Sequence, residues 1–107
     1  MVAQIQPSDV KHLLNAGERV VLLDVRQPEE NAYCALPGST LIPLGELSAR
    51  VNELNQTDDL VVVYCHHGIR SISAAAILAQ AGYPNVASMA GGIDRWSEQV
   101  DPAVPRY

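Results

Sequence analysis

Two short runs constrain this chain more than any other feature: Val20-Val21-Leu22-Leu23-Asp24-Val25 and Leu60-Val61-Val62-Val63-Tyr64. Neither alternates apolar with polar residues, so a strand built from either must bury both of its faces. Such strands belong to a sheet covered by helices on both sides. Parallel strands also need long crossovers, which are usually helical. The segments around the two runs supply them. Val10, Leu13 and Leu14 recur at helical spacing after Pro7-Ser8-Asp9, with Ser8 a candidate cap and Gly17 a stop. Pro28-Glu29-Glu30 opens a short helix with acidic residues in its first turn. Leu47, Val51 and Leu54 share one face of a helix predicted over 44–55. An Ala-rich helix over 71–81 ends at Gly82, and Gly91-Gly92 turns into a last helix over 93–99 with Trp96 as core anchor.

Shorter strands are predicted at 3–6, 41–43 and 86–89, a turn at Leu36-Pro37-Gly38-Ser39, a polar loop at 56–59, and an irregular tail at 100–107 whose two prolines block a helix. Strands alternating with helices imply a three-layer α/β/α domain over 1–107, with a mostly parallel sheet of about five strands. Aromatic residues make up only 5% of the chain and Phe is absent, so the core must come from Val, Leu, Ile and Ala.

Charge and termini narrow the function. A net charge of −5 with no basic run argues against nucleic acid, whose phosphates need clustered Lys and Arg. The first residues carry no basic region followed by an apolar stretch, and no apolar run reaches bilayer length. The expectation is a soluble, cytoplasmic chain with its two cysteines, Cys34 and Cys65, as reduced thiols.

Cys65 ends the more hydrophobic of the two central strands, where ligands of open α/β sheets bind. It begins Cys65-His66-His67-Gly68-Ile69-Arg70-Ser71, a tight loop that runs straight into a helix. Loop amides and the free N–H groups of the helix start can converge on one point and favour an anion there. Gly68 can take the backbone angles such a ring needs, and Arg70 adds a fixed positive charge. A thiolate, and then a persulfide, fits this cradle. His66 and His67 are expected at the pocket rim, tuning its charge; orienting a donor or shuttling a proton is the alternative. No zinc-ligand spacing is present, and no nucleotide or flavin motif, so neither a metal nor a cofactor is expected.

These residues resemble the rhodanese family. The strand, the Cys65–Ser71 loop and the Ala-rich helix look like its active-site loop. Asp24-Val25-Arg26 with Glu29-Glu30, then Leu36-Pro37-Gly38-Ser39 with Ile42-Pro43, then Met89-Ala90-Gly91-Gly92-Ile93-Asp94-Arg95-Trp96, resemble further motifs in the same order. The resemblance implies a sulfurtransferase that moves sulfane sulfur from a thiosulfate-like anion, through a Cys65 persulfide, to cyanide, a thiol or a protein. Asp24, Arg26 and Glu30 are expected to form a supporting network, with binding of substrate anions the alternative role for Arg26. The four residues between Cys65 and Arg70 make a smaller ring than the five of similar cysteine-dependent phosphatases, which disfavours phosphatase or arsenate reductase chemistry. A binding or sulfur-relay module working with a partner protein is the second reading.

Two features depart from the pattern or extend it. Cys34-Ala35 stands where relatives often have Gly-His; Cys34 is expected as a small hydrophobe, with a resolving thiol as the alternative. The ending Pro105-Arg106-Tyr107 looks like that of rhodanese domains fused to adenylating enzymes, and otherwise reads as a strap on the surface.

Overall fold

The two apolar runs lie side by side at the centre of one sheet in the computed structural model, which describes residues 2–55 and 57–107. They form β2 (Val20–Asp24) and β4 (Leu60–Tyr64), paired in parallel from Val20 opposite Leu60 to Asp24 opposite Tyr64. β1 (Gln4–Ile5), β3 (Thr40–Leu41) and β5 (Val86–Met89) complete the sheet in the order β1-β5-β4-β2-β3, and every pairing is parallel. From β2 the chain moves outward to β3, whereas from β4 it moves the opposite way to β5. The carboxyl ends of β2 and β4 therefore flank the switch point of the sheet, where a crevice opens without any further device.

Strand residues divide between the two faces by parity. Leu23, Val61 and Val63 pack with Leu47 of α3 (Leu44–Arg50) and with Ala74, Ala75 and Leu78 of α4 (Arg70–Gln80). Leu22, Val62, Tyr64 and Met89 pack with Val10 of α1 (Pro7–Asn15) and with Ile93 and Trp96 of α5 (Gly92–Gln99). The fifth helix, α2 (Pro28–Tyr33), follows β2 and buries no residue, so it is held by polar contacts instead. Trp96 is the anchor its sequence position suggests, with Ser97 beside it donating to the carbonyl of Val104 at 2.6 Å.

Several element ends move from their predicted places. α1 begins at Pro7 with Gln6 as the cap residue, because proline is already shaped for the first helical position; Ser8 falls inside the turn and caps nothing. The helix predicted over 44–55 stops at Arg50 and tightens into a 3₁₀ turn over Val51–Leu54, which Asn55 closes in the left-handed conformation (φ 62°). β3 ends at Leu41, although the Ile42 amide still bonds to the Asp24 carbonyl at 2.9 Å. α4 and α5 start one residue early, at Arg70 and Gly92. Gln56 of the predicted polar loop lies outside the described residues. Among those described, no helix is long and apolar enough to cross a membrane.

Candidate active site

Cys65 leaves β4 at the switch point with its side chain turned into the layer between the sheet and α4, and the residue is 1% exposed. Its surroundings on the loop side are not apolar. The Gly68 amide donates to Cys65 Sγ at 3.1 Å and the Ser71 amide at 3.4 Å. Ser71 Oγ lies 3.5 Å from the sulfur and 2.6 Å from Ser88 Oγ, so a short hydroxyl chain runs from the cysteine to β5. Gly68 has φ 96°, open to glycine without strain, and this turns its N–H inward. The sulfur therefore sits where two main-chain dipoles and a helix start point at it.

The loop is braced from behind by α5. The amide of Ile93 bonds to the Cys65 carbonyl at 2.9 Å and that of Asp94 to the His66 carbonyl at 3.1 Å. Two N–H groups that a helix start leaves unpaired thus hold the outer wall of the cradle. This contact explains Gly91-Gly92, which the sequence presents only as a turn. A Cβ on Gly92 would run into the carbonyls of Cys65 and His66, and one on Gly68 would lie 2.9 Å from the Gly91 nitrogen.

Asp24, Arg26 and Glu30 do form one network, with Arg26 beneath the site rather than in it. Arg26 and Asp24 are both fully buried. Asp24 Oδ1 accepts from the Arg26 amide and Nε at 3.0 and 2.9 Å, and Oδ2 accepts from Nη2 at 2.7 Å. The remaining guanidinium donors meet the Cys34 carbonyl at 2.5 Å and the Tyr107 hydroxyl at 2.8 Å. In this arrangement Arg26 has no exposed surface, and its donors meet Asp24, Cys34 and Tyr107. Burial works against its charge, but the bonds to Asp24 and Tyr107 outweigh this and hold the guanidinium above its ordinary range. Removing one partner of such a buried pair strands the other. Asp24→Asn is expected to cost about 3 kcal/mol, read from the urea midpoint.

Arg70 also has a fixed partner. Its Nη1 and Nη2 bond to the two oxygens of Glu30 at 2.7 and 3.0 Å, leaving it half-buried at the rim. Chiefly through Arg70, and against its own burial, Glu30 is pulled down to about 2; the Gln27 amide and the Tyr107 hydroxyl assist. A carboxyl that is more acidic in the folded chain adds stability above its unfolded value near 4.5, and that stability drains away as the pH falls toward 2. The stability difference between the wild type and Glu30→Gln is therefore expected to stay constant at neutral pH and to shrink between pH about 4.5 and 2 in a series of urea titrations.

Of the two loop histidines, His67 is exposed and His66 half-buried. Their rings stack at 3.8 Å, and His66 Nε2 is buried without a hydrogen-bond partner among the described residues. Burial first, then the neighbouring His67, pushes the His66 imidazole below its ordinary value, so it is neutral at pH 7. His66, His67 and Asp94 bring ligand-type atoms within 4.8 Å of one another. Near-parallel rings send their in-plane lone pairs side by side rather than to one point, and Asp94 is already bonded to Arg106 at 2.8 and 3.1 Å. Cys34 Sγ is half-buried near Arg26 Nη1 (3.9 Å) and the Pro105 carbonyl (3.7 Å). Tyr64 pins the Leu36–Ser39 turn: its hydroxyl accepts from the Leu36 amide at 3.1 Å and meets Ser39 Oγ at 2.9 Å.

The chain is similar to known proteins over nearly its whole length. The sequence model of the rhodanese-like domain matches residues 6–99. A protein of Allochromatium vinosum named sulfurtransferase is 36% identical over 104 residues, which cover 97% of this chain and 96% of the other. A putative sulfur carrier protein of Bacillus subtilis, YrkF, is 33% identical over 94% of this chain, which spans only 54% of that protein's length. The crystal structure of a rhodanese-related protein from Thermoplasma volcanium superposes with a TM-score of 0.83 at 32% identity, covering 98% of this chain and 99% of the other.

Proposed function

The chain belongs to the rhodanese-like family, and from that premise we propose that it is a sulfurtransferase carrying sulfane sulfur as a persulfide on Cys65. The observation that carries the reading is the pair of main-chain N–H groups, from Gly68 and Ser71, directed at Cys65 Sγ. They stabilise negative charge on sulfur without a cofactor and without a proton of their own to lose.

The reaction follows from that cradle. The Cys65 thiolate attacks the outer sulfur of thiosulfate; a new S–S bond forms, the donor's S–S bond breaks, and its electron pair leaves with sulfite. The terminal persulfide sulfur then carries the negative charge in the loop, where amides replace water around it. A thiophilic acceptor attacks that sulfur, the Cys65–S bond breaks, and the thiolate is restored. With cyanide the product is thiocyanate; a thiol or a protein cysteine would take the sulfur as a new persulfide. Arg70, steadied by Glu30, supplies positive charge at the entrance for an anionic donor.

The test is intact mass. After incubation with thiosulfate the chain should gain the mass of one sulfur atom, located on Cys65 by peptide mapping and discharged by cyanide. Hydrolysis of a phosphate ester without sulfur loading would overturn the reading. A relay module with a dedicated partner is a second reading, favoured by the likeness to a protein named a sulfur carrier. It predicts loading from a partner's persulfide but negligible turnover with thiosulfate.

A further inference from the structure

Taking that function as given, we propose that Tyr107 is a gate over Cys65: the segment 101–107 is a strap on which Tyr107 closes the sulfur site, and substrates reach the thiol only when it swings away.

Tyr107 lies against the start of the catalytic loop and is linked to its far end through Glu30. Its ring lies flat on His66, the residue after Cys65, with centroids 3.8 Å apart and planes 3° apart. Its hydroxyl donates to Glu30 Oε2 at 2.8 Å, and Glu30 in turn holds Arg70 at the far end of the loop. The same hydroxyl accepts from Arg26 at 2.8 Å, and the ring meets Tyr33 edge-on at 5.8 Å. A nucleophile that must meet both a donor and an acceptor, yet is 1% exposed, needs a cover that moves.

The strap is built unevenly, as a hinged cover should be. Its base is fixed in the core: Val104 packs against the cluster containing Trp96, and its carbonyl takes the Ser97 hydroxyl. Its tip lies at the surface and reaches inward only through the Tyr107 ring and hydroxyl. Arg106 pairs with Asp94 and Glu98 while 56% exposed, and Tyr107 remains 42% exposed. The Arg106 pairs add little, so the contacts of Tyr107 with His66, Arg26 and Glu30 are what hold the tip closed. Burial, with Arg26 and Glu30 acting in opposite senses, leaves the Tyr107 phenol pushed up to about 12. The latch therefore stays protonated through the neutral range, and release is a matter of displacement rather than ionisation.

The experiment measures access to the thiol and does not depend on sulfur transfer. The full chain, Tyr107→Phe and Tyr107→Ala are labelled with iodoacetamide and with a bulky maleimide, and modification of Cys65 is followed by peptide mass. Tyr107→Ala should raise the iodoacetamide rate about tenfold, the sum of a lost stack and lost hydrogen bonds, and the maleimide rate by more. Tyr107→Phe keeps the stack and should fall between. An altered thiol reactivity would accelerate both reagents equally; that result, or rates within twofold of wild type, overturns the gate. If Tyr107→Ala fails to fold, Arg106→Ala loosens the same tip and should give a smaller rise with the same dependence on reagent size. Faster labelling of a chain that takes up no sulfur would leave the gate standing and remove the proposed function; sulfur uptake with unchanged labelling does the reverse.

Discussion

Cys65→Ser is expected to abolish sulfur loading, with thiocyanate production down by at least about a thousandfold, as befits loss of a covalent nucleophile. The chain should nevertheless fold. Serine is close in size to cysteine, and its oxygen can accept from the Gly68 and Ser71 amides that now point at Cys65 Sγ. Stability should therefore move by no more than about 1 kcal/mol. What oxygen cannot do is hold a second sulfur and release it to an acceptor. The measurement is intact mass after thiosulfate, with a urea titration beside it. Sulfur retained by Cys65→Ser would relocate the chemistry, with Cys34 the next thiol to test.

Gly92→Ala is expected to have the largest effect on folding, above about 4 kcal/mol. At φ 61° a side chain is already strained by about 1–2 kcal/mol. The added Cβ would also lie 2.6 Å from the His66 carbonyl carbon, and backbone on a tight loop cannot step aside as a side chain can. Gly17 calibrates this. It also has positive φ, but a Cβ there meets nothing. Alanine at Gly17 should cost about 1–2 kcal/mol. Equal urea midpoints for the two variants would mean that strain alone matters and that the approach of α5 to the loop does not.

The contrast between these glycines marks how far sequence carries. The central strands were legible because an unbroken apolar run has few other solutions, and Leu60–Tyr64 ends where its pattern ends. The cysteine loop was legible because a strand, a short polar turn and a helix start in succession force amides to converge. Gly91-Gly92 was read as a turn because positive φ and close approach leave the same letter in the sequence; only the neighbouring main chain separates them. Ser88 carried no signal at all: a small polar residue in a strand becomes the partner of Ser71 only through the pairing of β5 with β4.

Arg26 shows the same limit from the other side. A charged residue at a strand end points to the pocket on chemistry alone, and it is the distant tail that helps bury it. The contact between Arg26 and Tyr107 spans 81 positions. No local pattern announces such a meeting, which is why the ending reads from sequence as a family-like terminus or a surface strap and not as a partner of Arg26. The helix boundaries that moved, at Pro7 and Arg50, moved for local reasons of proline geometry and a tightening turn.

The wall of the sulfur cradle is fixed by main chain, through the Ile93 and Asp94 amides, and not by its outward side chains. His67 and Ile69 stand in solvent, Ile69 at 78% exposure. The environment of the sulfur and the surface shown to solvent thereby lie in separate parts of one short segment. Exchanging those two positions should alter that surface and leave the environment of Cys65 Sγ as it stands.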